Sequence, residues 1–216
     1  MSAAIVPTAT VSTPEDYKAT LERIHQFGAT HIHVDISDGV FAPVELLGAD
    51  KIWWPQGWTV DVHAMVSQPS LYHQQLIALK PSLITFHAEV NEDLLPIMQQ
   101  IKQVGIKAGI AFLKPTVPSD VAPLIEASDH VMIFSGELGK YGGTASMMQL
   151  EKVRLIKNIN ASVEIGWDGG VSIENAFSLS QGGVDTLNTG GAIHNATDPK
   201  VAYEALVNEV NKQGVL

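Results

Sequence analysis

Short runs of β-branched and apolar residues alternate along the chain with longer stretches whose apolar positions recur at helical spacing. The first strand is expected at residues 4–10. Thr13-Pro14-Glu15-Asp16 then reads as a helix start, with Thr13 as N-cap, Pro14 at the first helical position and acids in the first turn. That helix is predicted to run to Gln26 and to be closed by Gly28. Further strands are expected at 31–36, 59–65, 82–87, 107–113, 130–134, 162–167 and 184–188. Helices are expected at 69–79, 91–104, 119–127, 146–157, 172–180 and 199–212. A short helix is also expected in the irregular stretch that leads to Trp58.

Eight strands alternating with eight helices imply parallel βαβ units, and the pattern predicts a closed (β/α)8 TIM barrel spanning 1–216 as one domain. An open doubly wound sheet is the alternative, but eight repeats in 216 residues leave little for a second domain. The barrel reading also says where chemistry belongs. Functional residues should lie at the C-terminal ends of strands and in the loops that follow them.

Composition narrows the function. The chain has 13 Lys+Arg against 23 Asp+Glu, a formal charge of −10, and no cysteine. Disulfides, thiol nucleophiles and thiolate metal sites are therefore excluded. So acidic a chain lacks the basic footprint that phosphate neutralisation on a nucleic acid requires. No apolar run reaches the ~18 residues of a membrane span, and no leader pattern stands at the N-terminus. These bounds lead us to expect a soluble, cytoplasmic protein.

Applied to the predicted strands, the strand-end rule picks out a set of polar residues. The second strand carries His33, Asp35 and Ser37 on one face, since alternate residues of a strand point the same way. The third ends with Asp61-Val62-His63, the fourth with His87-Ala88-Glu89, and the seventh with Trp167-Asp168-Gly169-Gly170. Several ionisable groups converging on one barrel mouth need mutual pairing or a metal ion. Two imidazoles and two carboxylates without sulfur, from His33, Asp35, His63 and Asp168, suit a divalent ion: Zn²⁺ first, with Mn²⁺ or Fe²⁺ as alternatives. Isolated histidines such as His25, His73 and His130 read as surface or core residues, and parity alone does not exclude His31 from the set. Trp53, Trp54 and Trp58 read as packing beneath a loop rather than as an interface. Glycine pairs follow the sixth, seventh and eighth strands at Gly142-Gly143, Gly169-Gly170 and Gly190-Gly191. Glycine lets backbone N–H groups approach an anion closely, so three such loops on one face point to a phosphorylated substrate.

These residues also carry a family resemblance. His33-Val34-Asp35-Ile36-Ser37-Asp38-Gly39-Val40-Phe41-Ala42-Pro43 resembles the H-x-D-x-M-D-G-x-F-x-P signature of ribulose-phosphate 3-epimerases. Asp61-Val62-His63-Ala64-Met65-Val66 is similar to that family's D-x-H-L-M-V, and Thr85-Phe86-His87-Ala88-Glu89 to its T-F-H-x-E. Asp168-Gly169-Gly170-Val171 and Gly190-Gly191-Ala192-Ile193 resemble its D-G-G-[VI] and G-S-A-I segments. The similarity is colinear from about Pro7 to the last helix.

The resemblance implies a metal held by His33, Asp35, His63 and Asp168, with Asp35 and Asp168 as the acid/base pair. The implied reaction interconverts D-ribulose 5-phosphate and D-xylulose 5-phosphate through an enediolate. The substrate would be held by Thr8, His63, Gly142, Gly143, Gly170, Gly190 and Gly191, and the family suggests a homo-oligomer. Ser37 and Phe134 stand where the family has Met, Ala64 where it has Leu, Thr8 where it has Ser, and Gly166 where an acidic residue precedes D-G-G. These departures motivate two alternatives: an epimerase of another ketose phosphate, such as a six-carbon ketose 6-phosphate, or a catalytically silent phosphometabolite-binding barrel. A phosphate-binding decarboxylase with D-x-K-x-x-D fits poorly, because no lysine lies near Asp35 or Asp38.

Overall fold

Alternate residues of each strand meet two different surroundings, and this parity organises the molecule. The computed structural model describes residues 2–138 and 143–212. Its strands are β1 (Ala4–Ala9), β2 (His31–Ser37), β3 (Thr59–Met65), β4 (Leu83–His87), β5 (Lys107–Phe112), β6 (His130–Phe134), β7 (Glu164–Asp168) and β8 (Thr186–Thr189). They pair in parallel in chain order and close through β1 and β8. The predicted TIM barrel is therefore present.

Helices α1 (Pro14–Gln26), α2 (Pro69–Leu79), α3 (Leu94–Gln103), α4 (Ala122–Ala127), α5 (Glu151–Ile159), α6 (Ala176–Gln181), α7 (Gly191–His194) and α8 (Pro199–Val210) supply the outer layer. Thr13 caps α1 as its sequence predicts, its hydroxyl accepting from the Asp16 N–H at 3.1 Å. The helix expected between β2 and Trp58 does not form. Instead the Asp38 carboxylate accepts from the N–H groups of Val40, Phe41 and Ser67 and fixes an irregular segment. Four predicted helices also change at their start, α3 beginning at Leu94 behind the N-cap Asp93. A 3-10 turn at Pro118–Val121 precedes α4, a second at Met147–Leu150 precedes α5, and α6 begins only at Ala176. In the last case the Asn175 side chain bonds Gly170 O and Ser172 N and holds the chain in a turn. The short α7 after β8 is absent from the sequence expectation.

One parity faces the helices and is apolar: Ile32, Val34 and Ile36 of β2, Val60, Val62 and Ala64 of β3, and Ile165 and Trp167 of β7 all join the main hydrophobic core. The other parity faces the barrel axis and is unusually polar for this fold, whose interior is generally filled by branched apolar side chains. His33, Asp35, Ser37, Asp61, His63, Thr85, His87, His130, Thr186 and Asn188 are all buried. Gly166 explains how one of these rings fits. A Cβ there would lie 2.7 Å from His130 Cε1, so the missing side chain leaves room for that ring. His31 pairs with Asp61 at 2.6 Å near the start of the strands and takes no part in the site at their other end. His73 and His130 are buried as structural residues, while His25 is exposed and stacks on Trp58. Trp54 and Trp58 pack against the core; Trp53 is half exposed, with its carbonyl accepting from Tyr17 Oη at 2.8 Å. Among the described residues no helix is long and apolar enough to cross a membrane.

Candidate active site and metal centre

Cross-strand register assembles the centre. Asp35 of β2 lies opposite His63 of β3, and Asp168 of β7 lies opposite Phe134 of β6 and Asn188 of β8. One donor atom from each of His33, Asp35, His63 and Asp168 lies within 4.8 Å of all the others. Asp35 Oδ1 is 2.8 Å from His63 Nδ1 and 3.1 Å from His33 Nε2. Asp168 Oδ2 is 3.4 Å from His33 Nε2 and 3.9 Å from His63 Nδ1. Asp35 Oδ2 accepts from the Thr10 hydroxyl at the end of β1, a contact that the sequence reading did not anticipate.

The electrostatics show a site that calls for positive charge. Burial opposes a charged His33, but the Asp35 and Asp168 carboxylates outweigh it and raise this imidazole to about 10. Burial likewise works against a charged Asp35, yet His33 and His63 hold its carboxyl well below the usual carboxylate range. One buried and one partly buried carboxylate converge with two buried imidazoles, the near contacts among the four running between nitrogen and carboxylate oxygen, which is the donor set of a divalent-ion site. The residues present therefore fit such an ion.

Behind the centre stands a row of aromatic and polar partners. His63 Nε2 lies 2.9 Å from His87 Nε2, and His87 Nδ1 lies 3.3 Å from Glu89 Oε2. Burial is the main cause that lowers His87 to about 4. Burial raises Glu89, but bonds from His87, Thr116 and Leu113 N–H prevail and keep it below the usual range. Phe134 lies against both His63 and His87, with ring centroids 5.9 and 5.7 Å apart.

Above the centre opens a cavity of about 260 Å³, sized for a small metabolite. Thr8, Thr10, Asp35, Met65, Phe134 and Asp168 line its floor and walls, and Gly143, Gly170, Gly190 and Gly191 lie on its loops. His33 and His63 are buried and do not line it. Gly142 lies outside the described residues. Of the five altered positions, Thr8 and Phe134 border the cavity. Ala64 is part of the helix-facing core, and buried Ser37 accepts from the Gly39 N–H, so neither borders the cavity that would take the substrate. Gly169 and Gly170 adopt φ of 100° and 70°, and a Cβ on either would strike the backbone of Gly136 or Ala145. Asn188, Asn195, Glu137 and Ser172 also border the cavity, and strand periodicity could have shown only Asn188.

Solved structures share the fold at low identity. Tryptophan synthase from M. tuberculosis superposes with a TM-score of 0.70 at 16% identity, covering 97% of this chain and 94% of that one. 3-Hexulose-6-phosphate synthase from Salmonella typhimurium gives 0.69 at 14%, covering 97% and 98%. Sequence relatives are more specific. A ribulose-phosphate 3-epimerase of Helicobacter pylori is 33% identical over 187 residues, 83% of this chain and 86% of the relative. The cytoplasmic isoform from Oryza sativa subsp. japonica is 31% identical over 217 residues, 97% and 95% of the two chains. The profile of the ribulose-phosphate 3 epimerase family matches residues 4–194. With its barrel, its His/Asp centre and this match over nearly its whole length, the chain belongs to the ribulose-phosphate 3-epimerase family.

Proposed function

We propose that the protein is a metal-dependent 3-epimerase that interconverts D-ribulose 5-phosphate and D-xylulose 5-phosphate. The observation that carries this reading is the pair Asp35 and Asp168, both at one cavity and both in the His/Asp centre. Inversion at a carbon beside a ketone needs two proton-transfer groups on opposite faces of that carbon. Asp35 comes from β2 and Asp168 from β7, with β8 and β1 between them around the barrel. Asp35, held ionised by its histidines, takes the C3 proton. Asp168, entering the cycle protonated, delivers that proton to the opposite face, and exchange with solvent then deprotonates Asp35 and reprotonates Asp168; in the reverse direction the roles exchange.

His33, Asp35, His63 and Asp168 would hold the cation, with zinc as the expected ion for imidazole and carboxylate ligands. Bound there, it would supply Lewis-acid stabilisation of the negative charge that develops on the substrate oxygens. The phosphate is assigned to the loops at Gly142, Gly143, Gly170, Gly190 and Gly191. The first N–H groups of α7 have no partner within their own helix, as the geometry of a helix start requires. Among the described residues no Lys or Arg borders the cavity, so backbone donors carry the anion recognition. Thr8 and Phe134 bound the sugar-facing part. The protein works in the cytoplasm in this reading, as one barrel domain within a homo-oligomer, with no nucleic-acid or membrane partner.

The test is conversion. Zinc-loaded protein incubated with D-ribulose 5-phosphate and followed by ¹³C NMR is expected to yield D-xylulose 5-phosphate. A ribulose 5-phosphate signal that stays unchanged while a six-carbon ketose 6-phosphate is epimerised would reassign the substrate. No change in any ketose phosphate would overturn the enzymatic reading in favour of a binding barrel.

A further inference from the structure

Asn188 is a polar side chain that the fold buries without giving it adequate partners. It stands on the axis-facing parity of β8, is only 4% exposed, and borders the cavity above the centre. A carboxamide can make four hydrogen bonds, two as donor and two as acceptor. Among the described residues this one makes a single bond, from Nδ2 to the Met132 thioether at 3.2 Å. Thioether sulfur is a weak acceptor, and a carboxamide so poorly paired is costly to bury. At a cavity wall such a group is open to a ligand, which can take the N–H from sulfur at little loss.

Strand register shows which part of a ligand it meets. Asn188 pairs with Asp168 of β7 on one side and with Val6 of β1 on the other. Paired residues point the same way, so the carboxamide stands beside the Asp168 carboxylate, on strands about 4.8 Å apart. Val6 is apolar and offers the amide nothing. Gly190, the residue before α7, follows Asn188 at about 7 Å along the strand direction. Asn188 therefore lies between the proton-transfer group and a glycine loop assigned to the phosphate. In a pentulose 5-phosphate with C3 at Asp168 and the phosphate at Gly190, the oxygen between these points is the C4 hydroxyl. A carboxamide suits that group, because a hydroxyl both donates and accepts.

We infer that Asn188 is a specificity-determining residue that binds the C4 hydroxyl of the substrate. This role rests on the proposed epimerase reading and supplies what it lacks: a side chain that reads the carbon chain between C3 and the phosphate.

Pentitol phosphates have no ketone to enolise, so their binding isolates the contact from the chemistry. Zinc-loaded protein is titrated calorimetrically with D-ribitol 5-phosphate and with its 4-deoxy counterpart. Wild type is expected to bind the 4-deoxy compound about 5–10-fold more weakly, the worth of one hydrogen bond between uncharged groups. Asn188→Leu, similar in shape but without polar atoms, is expected to lose that preference. A merely structural role would weaken both ligands together and leave their ratio as in wild type. Should Asn188→Leu fail to fold, the side-chain ¹⁵N–¹H₂ resonances of Asn188 in wild type report the contact instead. They are expected to move with D-ribitol 5-phosphate and by much less with the 4-deoxy compound.

Equal binding of the two compounds by wild type would overturn the inference. So would a ratio that Asn188→Leu leaves unchanged, or equal resonance shifts with both ligands. Each of these results leaves the epimerase reading standing. Binding of neither compound by folded, zinc-loaded protein would remove that reading and the role of Asn188 together.

Discussion

His33 is the residue at which burial and charge conflict most openly. Its imidazole is buried, yet the Asp35 and Asp168 carboxylates hold it up at about 10. In the metal-free protein at neutral pH it is therefore protonated, and a cation must displace that proton to use the nitrogen. Zinc affinity should rise with pH from neutrality until about 10 and then level off. Calorimetric titration in buffers of different ionisation enthalpy should detect at least one proton released per ion bound; zero release would contradict this account of His33. The two carboxylates make a second prediction. Asp35→Asn and Asp168→Asn each lose the proton-transfer group and should lower kcat by roughly 10²–10⁴-fold while still binding inorganic phosphate. Normal turnover in both would remove the site assignment. His33, Asp35, His63 and Asp168 were legible in the sequence because each is an ionisable residue at a strand end, where few residues of that kind are tolerated without a purpose. The contacts of Thr10 with Asp35 and of His87 with His63 were not, because they depend on which strand lies beside which and at what stagger. The place of Ala64 was legible too: next to His63 on a strand, it must point the other way, into the core.

Elements place these residues through their turns. The Asp168-Gly169-Gly170 turn leaves β7 with two consecutive positive φ values, and Gly170 packs its Cα against Ala145 in the loop after β6. Gly170→Ala would add both left-handed strain and a backbone clash, for a cost of about 1–3 kcal/mol. Thermal unfolding should show a midpoint lowered by several degrees. Its KM should also rise, because the displaced loop carries Gly143 at the cavity edge. An unchanged midpoint and KM would show that the turn tolerates a side chain. Most strands and α1, α2 and α8 could be read closely, because apolar alternation and N-terminal Pro or Thr mark them locally. The segment 38–58 could not. Its conformation depends on reaches across the fold, from Asp38 to the N–H of Ser67 beyond β3, from the Leu47 N–H to Val11 O and from Tyr17 Oη to Trp53 O, and no local pattern records them. The late starts of α5 and α6 have nearer causes: the Ser146 N–H bonds Ser135 Oγ at the end of β6, and the Asn175 side chain bonds the Ser172 N–H and Gly170 O within its own turn.

For the whole molecule, polarity is arranged from inside outward. The barrel interior carries histidines and carboxylates, the surrounding layer is apolar, and the chain bears a net charge of −10. A dianionic substrate approaches such a molecule against its field, and among the described residues the cavity offers no lysine or arginine to reverse that. Added salt screens the repulsion, so kcat/KM for the phosphorylated substrate should increase between low ionic strength and about 0.1 M, where the Debye length is about 10 Å. A decrease would point to a cationic clamp. The closed barrel was legible from the count and order of elements. The polar filling of its interior was legible only in part, since Gly166 and His130 make sense together and lie on different strands.

Proton transfer at C3 by this His/Asp centre is the central claim, and solvent exchange tests it most directly. Zinc-loaded protein and D-ribulose 5-phosphate are incubated in D₂O, and deuterium at C3 is read by NMR in substrate and product. Deuterium at C3, with xylulose 5-phosphate formed and the signal lost in Asp35→Asn, is the result expected. A fully protiated C3 with the metal bound and the phosphate ligand in place would contradict the account.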